Sequence, residues 1–207
     1  MSTWTIVPIR GLVTGKSRLA ALLTEEERLS LNADLFERAL AAVVALDGSA
    51  ARCIVASAGA DALDLARRRG AVALEEAPDT GLNPALDAAR QSALARGAEA
   101  LLVVAADLPA INGAALARLR AAVPPGGAAV VADKTDTGTN ALLLPARAAL
   151  DFAFGAGSLA RHRDALAGLG IAVQVWRDAD LALDIDTPED YLAWRAGEAS
   201  TGRRGAA

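Results

Sequence analysis

Two hydrophobic periods alternate along the chain. Short apolar runs of strand length occur at residues 3–9, 52–57, 71–75 and 99–106. Between them, at residues 24–46, 61–69 and 83–96, apolar positions recur three and four apart, the spacing of one helix face. The longest such face carries Leu35, Ala39, Ala42, Val43 and Leu46, and Thr24-Glu25-Glu26-Glu27 opens it as a capping box. Gly70 stands where the second helix should stop, and Asn83-Pro84 reads as the N-cap and first residue of the third. Strand and helix in turn, with short joints, predict an α/β domain with a parallel sheet wound on both sides by right-handed crossovers.

The second half keeps this rhythm less strictly. A helix is expected at residues 112–122, a strand at 128–132, a polar loop at 133–140 and a returning strand from 141 to 144. Two strands joined so closely can pair antiparallel, which leaves the sheet mostly parallel. Ser158 is a natural N-cap for a helix at residues 159–169. A strand follows at 172–177, then an alternating apolar and acidic stretch at 181–186, then a helix capped at Thr187 and running through Trp194. No linker or repeat interrupts residues 1–196, so they read as one domain, and residues 197–207 read as a flexible tail.

The run Leu101-Leu102-Val103-Val104-Ala105-Ala106 reads as a central strand buried on both faces, stopped by Asp107-Leu108-Pro109. Asp107 then lies at the strand's carboxyl end, where open α/β sheets place their ligands. A carboxylate there can hold a metal ion that in turn holds phosphates, or it can merely cap the turn. The first strand leads into Arg10-Gly11-Leu12-Val13-Thr14-Gly15-Lys16-Ser17-Arg18-Leu19, with glycines whose backbone could converge on a phosphate and cations to pair with it. This is not a Walker A loop, since only three residues separate Gly11 from Gly15. The start of the 159–169 helix, preceded by Gly155-Ala156-Gly157, is a second candidate anion site. In Leu183-Asp184-Ile185-Asp186, extended backbone would put both carboxylates on one face, about 7 Å apart. Like charges so placed call for a cation between them or water around them.

Composition narrows the chemistry. Hydrophobic residues make up 53% of the 207 and aromatic ones 3%, so the core is built of Ala, Leu and Val. The formal net charge is −4, which argues against a nucleic-acid surface. One cysteine, Cys53, excludes an internal disulfide and a cysteine zinc site, and one histidine, His162, excludes histidine-rich metal sites. No apolar stretch reaches the roughly 18 to 20 residues of a membrane span, and no signal peptide is visible, so the cytoplasm is expected. A lysine-bearing loop, a strand-end aspartate and a paired aspartate suit phosphoryl or nucleotidyl transfer, and three separated carboxylates can hold two Mg²⁺ ions.

These motifs, in order, carry a resemblance: Val7-Pro8-Ile9-Arg10, Lys16-Ser17-Arg18-Leu19, Gly81-Leu82-Asn83, Ala105-Ala106-Asp107-Leu108-Pro109, Thr137-Gly138-Thr139-Asn140, Phe154-Gly155 with Ser158 and Arg161-His162, and Leu183-Asp184-Ile185-Asp186-Thr187-Pro188. The chain resembles the phospholactate guanylyltransferase family of coenzyme F(420) biosynthesis from about Trp4 to Trp194. The resemblance implies a Rossmann-like nucleotidyltransferase fold and transfer of GMP from GTP to a phosphorylated three-carbon acid, with release of pyrophosphate. It implies that Lys16 and its loop (Gly11, Gly15, Arg18) hold the GTP phosphates, and that Gly81 and Asn83 lie near the guanine. It places the acid at Thr139, Asn140, Gly155 and Ser158, and Mg²⁺ at Asp107, Asp184 and Asp186. Lys16 and Asp107 would be the catalytic pair, and a deazaflavin transferase would act downstream. Arg10-Gly11 departs from the family's more usual Lys-containing pair.

The acid could be phospholactate, phosphoenolpyruvate or 3-phosphoglycerate, which differ by one small group worth about 1 to 3 kcal/mol in a pocket. Oligomeric state is open, a homodimer included. Rival readings are a transferase for a sugar phosphate or molybdenum-cofactor precursor, a P-loop-like kinase built on Gly15-Lys16-Ser17, and a GTP-binding module without turnover.

Overall fold

The computed structural model describes residues 2–77 and 79–202. Seven strands form one sheet in the order β3-β2-β1-β4-β6-β5-β7. They are β1 (Thr3–Pro8), β2 (Cys53–Ser57), β3 (Val72–Glu75), β4 (Ala100–Val104), β5 (Ala128–Ala132), β6 (Thr139–Pro145) and β7 (Val173–Trp176). Neighbours among β3, β2, β1 and β4 are parallel, and so are β5 and β7. β6 runs antiparallel to both β4 and β5, as the short 133–140 joint requires. This is the expected mostly parallel α/β sheet with one reversed strand.

Strand parity divides the helices between two faces. Ile6, Ile54, Leu101 and Val103 meet Leu86 and Ala89 of α3 (Leu82–Ala95) and Leu166 of α5 (Ser158–Gly168). On the opposite face Val7 and Val55 meet Phe36 and Leu40 of α1 (Glu25–Asp47) and Leu65 of α2 (Ala60–Arg68). There too Leu102 and Val104 meet Leu116 and Leu119 of α4 (Gly113–Ala122). The successive residues of β4 are all buried, so its continuous apolar run serves both layers.

The capping box at Thr24 is formed, with the Thr24 hydroxyl accepting from Glu27 N–H and the Glu27 carboxylate accepting from Thr24 N–H. Three local expectations are corrected. α3 starts at Leu82 with Gly81 (φ 82°) as its N-cap, because the Asn83 amide pairs with the Phe154 backbone instead of capping. α5 starts at Ser158 itself behind a left-handed Gly157, and the Ser158 hydroxyl turns inward to Thr139. The stretch 181–186, read as extended, is helical at residues 181 and 182, and it adds no strand to the sheet. Ala179–Ala182 form the short helix α6, and residues 183–186 are a link outside the ladder. α7 (Pro188–Gly202) runs on past Trp194, and residues 203–207 of the expected tail lie outside the described residues. Among the described residues no helix is long and apolar enough to cross a membrane.

Candidate active site

The chain passes from β1 to β2 and β3 on one side, then crosses back to lay β4 on the other side of β1. The strand order therefore switches between β1 and β4, and loops leaving their carboxyl ends must diverge and open a crevice. Lys16 from the β1 loop and Asp107 from the β4 loop meet in it, Nζ to Oδ2 at 2.6 Å. The Asp186 Oδ1 lies 3.4 Å from the same Nζ, and Arg18 stands 3.8 Å from its Oδ2. The Lys16 side chain is 6% exposed, so its charge is held in place by these carboxylates rather than by water.

An apolar anchor explains this meeting. Leu19, which ends the Lys-Ser-Arg-Leu motif, and Ile185, between the two aspartates, are both fully buried in one cluster with Leu31 and Leu35 of α1. Burying Leu19 and Ile185 in one cluster brings their charged neighbours, Lys16 and Arg18 on one segment and Asp186 on the other, into reach. Ile185 N–H also donates to the Asp107 carbonyl at 3.3 Å, tying the link to the β4 loop. Burial pushes the Asp184 carboxyl above its usual range, helped by the negative charges of Asp107 and Asp186 and opposed by a backbone hydrogen bond and Lys134. Among the described residues no three His, Cys, Asp or Glu side chains form a ready metal cage. The cation that Asp107 and Asp186 share is the Lys16 ammonium.

The β1 loop is fixed by residues the sequence did not single out. Asn32, on the core face of α1, donates to the carbonyls of Gly11 and Leu12, each at 2.9 Å. Asp61 accepts from Leu12 N–H at 3.0 Å and Val13 N–H at 3.2 Å. These two N–H groups of the loop are therefore spent on a carboxylate. Gly11 (φ 145°) lies against Gly59, where an added Cβ would come within 2.6 Å of the Gly11 Cα. At Gly15 a Cβ would fall 2.2 Å from the Asn32 amide, so only glycine fits. Lys16 follows with a left-handed backbone (φ 60°, ψ 32°) and starts a 3-10 turn, Ser17–Ala21. A non-glycine residue held in that conformation marks a position the surroundings over-determine.

Asp190 holds the other side. Its carboxylate accepts from Asp186 N–H and Thr187 N–H and pairs with Lys134. Burial raises its carboxyl, but Lys134, Thr187 and the two N–H groups together hold it below the usual range. The bonds to residues 186 and 187 belong to the cap expected at Thr187, whereas no local pattern in the sequence joins Asp190 to Lys134.

Thr139, Ser158 and Gly155 come together at the start of β6 and α5. The Ser158 hydroxyl donates to Thr139 Oγ1 at 3.0 Å, and Ser158 N–H donates to the Gly155 carbonyl. Asn140 is adjacent, but its amide turns to the carbonyls of Leu181 and Ala182, at 3.0 and 2.8 Å, and so steadies the arm that carries Asp184. Gly81 and Asn83 stand at the start of α3, away from the Lys16 cluster in their bonding. Asn83 clamps Phe154, accepting its N–H at 2.8 Å.

Residues 3–195 match the model of the family described as "Guanylyl transferase CofC like". The chain belongs to this family. Two relatives named phosphoenolpyruvate guanylyltransferase agree. The one from Sphaerobacter thermophilus is 44% identical over 98% of this chain and 96% of its own. The one from Rubrobacter xylanophilus is 40% identical over 95% of each. Among solved structures, one named as a nucleotide-diphospho-sugar transferase from Desulfovibrio desulfuricans superposes with a TM-score of 0.76 at 15% identity, over 99% of this chain and 91% of that one. A nucleotidyl transferase from Methanothermobacter thermautotrophicus gives 0.68 at 17%, over 97% and 99%. The fold is that of the nucleotidyltransferases, and the chain is a guanylyltransferase. The crevice joining Lys16 to Asp107 lies at the switch point, where open α/β sheets place their ligands.

Proposed function

We propose that this guanylyltransferase uses phosphoenolpyruvate as its acceptor and GTP as its donor. An oxygen of the acid's phosphate attacks the α-phosphorus of GTP. The new P–O bond forms as the bond from that phosphorus to the β-phosphate bridge breaks, and pyrophosphate leaves. The observation that carries this reading is the Lys16–Asp107 contact at the switch point, in a chain whose relatives bear the name phosphoenolpyruvate guanylyltransferase.

The attacking phosphate is already an anion, so no general base is needed. The obstacle is repulsion between two anions, and the chain answers it with fixed positive charge. Lys16 is positioned to leave its carboxylates for the GTP phosphates, with Arg18 beside it. Gly81 and Asn83 would flank the guanine, and Thr139, Gly155 and Ser158 the acid. Asp107, Asp184 and Asp186 are hard oxygen donors, and the like-charge load on Asp184 suits a divalent cation nearby. Mg²⁺ bound to these three would neutralise phosphate charge. The product is an anhydride of GMP with the phospho-acid, which a deazaflavin transferase of coenzyme F(420) biosynthesis would consume in the cytoplasm.

The test is pyrophosphate release from GTP and Mg²⁺ with phosphoenolpyruvate, 2-phospholactate or 3-phosphoglycerate offered separately, the downstream transferase and its acceptor present. Release with phosphoenolpyruvate well above the other two supports the proposal. Release with another acid reassigns the acceptor, and GTP binding without any release ends the reading.

A further inference from the structure

His162 is the chain's single histidine, fully buried, and the reaction above makes no use of it. It lies on the core face of α5 with Leu159 and Leu166, three and four residues away. Its ring touches three groups. Ala153 N–H donates to Nε2 at 3.0 Å, Nδ1 stands 3.1 Å from Thr139 Oγ1, and the Phe154 ring packs edge-on at 4.7 Å between centroids.

These contacts fix the proton. A backbone N–H can only donate, so Nε2 must present a lone pair, and in the neutral ring Nδ1 carries the hydrogen. Protonating Nε2 would set two donors against each other. Burial, and then the positive charge of Arg161, lower the ring's basicity to a pKa of about 4, in keeping with one proton at neutral pH. Nδ1–H therefore donates to Thr139 Oγ1, which also receives the Ser158 hydroxyl. With both lone pairs of that oxygen engaged, the Thr139 proton must point to a third acceptor, and none is found for it among the described residues. The opposite tautomer would have consumed that proton, because a bare Nδ1 would accept it.

We propose that His162 is a positioning residue for the acid half of the site: it holds the 153–158 turn through Ala153 and keeps the Thr139 hydroxyl as a donor for the carboxylate of the acceptor acid. This rests on the acceptor reading given above. His162 itself touches no substrate. Its partners in pinning the turn are Asn83, bonded to Phe154, and Arg161, which donates to the carbonyls of Ala153 and Ala156.

The experiment compares wild type with His162→Phe, His162→Asn and Thr139→Val. Losing the two buried hydrogen bonds in His162→Phe should raise the KM for phosphoenolpyruvate by roughly tenfold, with the KM for GTP within about twofold. Asparagine can place an N–H where Nδ1 stood, so His162→Asn should recover part of the loss. Because His162 acts through Thr139, His162→Phe should add little in a Thr139→Val background. A change in kcat alone, or an equal rise in both KM values, would make the role merely structural and overturn the proposal. With a single histidine, ¹⁵N NMR reads the tautomer without assignment, and Nε2–H in place of Nδ1–H also overturns it. Should wild type release no pyrophosphate with any acid, the acceptor reading fails. The positioning role then stands or falls on the tautomer and on Ala153 amide exchange, slow in wild type and fast in His162→Phe.

Discussion

The two halves of the site are built on opposite principles. Around Lys16, formal charges crowd together: two carboxylates share one ammonium, Asp186 is 49% exposed, and Asp184 carries a like-charge load. Around His162, both hydrogen bonds of the ring go to neutral groups, and Thr139, Ser158 and His162 are buried. The first half is held by charges that ligands of the right sign can redistribute. The second is nearly complete before any ligand arrives, so it can set geometry but has little charge to offer. A reaction that brings two anions together needs both, one to reduce repulsion and one to orient the attacking group.

The charged half should break most sharply. Asp107→Asn keeps the shape and removes one of the two carboxylates that hold Lys16. We expect turnover to fall by about a thousandfold, in the range seen when a preorganised electrostatic group is removed. Folding stability should fall by about 1 to 3 kcal/mol, since Lys16 is nearly buried but keeps Asp186, and Asp184 loses a repulsive neighbour. Pyrophosphate release beside urea melts checks both numbers. An unchanged rate with a confirmed active enzyme would remove Asp107 from the mechanism. Chelation of divalent cations should stop turnover in wild type.

The neutral half should show itself in acid. In the unfolded chain His162 takes up a proton near its ordinary value of about 6.5, whereas in the fold it resists until about 4. Between those values the unfolded state binds more protons, so stability is complete above about 6.5 and is lost as pH falls towards 4. The loss attributable to this ring is about 3 kcal/mol. Urea unfolding of wild type and His162→Phe across that window should show the slope in the first and its reduction in the second. Equal slopes would mean that the ring is solvated or shares its proton differently.

How much of this was legible depends on the range of the forces involved. The strands and main helices could be read because burial imposes a period, and Leu101 to Val104 announces its place by having no polar face at all. Asp107 could be found because it stops that run. Lys16 was readable as a cation after a strand, but its meeting with Asp186 depends on Leu19 and Ile185 packing together, which no local spacing encodes. The 181–186 alternation misled: it has the period of a strand, yet the sheet edge is taken by β7, and Ile185 is buried among helices instead. Asn83 and Ser158 read as caps because caps are local, while their tertiary partners, Phe154 and Thr139, are not. Asn32 and His162 did leave a mark, each being a polar residue on an apolar helix face.

Asn32 supplies the last and smallest break. Its amide is 5% exposed and joins α1 to the carbonyls of Gly11 and Leu12, just ahead of Lys16. Asn32→Ala leaves both carbonyls without that donor and should cost about 2 kcal/mol of stability. It also opens space beside Gly15, so the loop gains freedom where Lys16 must be held in its left-handed conformation. The KM for GTP should therefore rise by a few fold, while the KM for the acid stays put, the reverse of the pattern expected for His162→Phe. If Asn32→Ala instead raises both KM values alike, the two halves are one cooperative unit, and the contrast between a charged half and a neutral half describes their contents but not how they work.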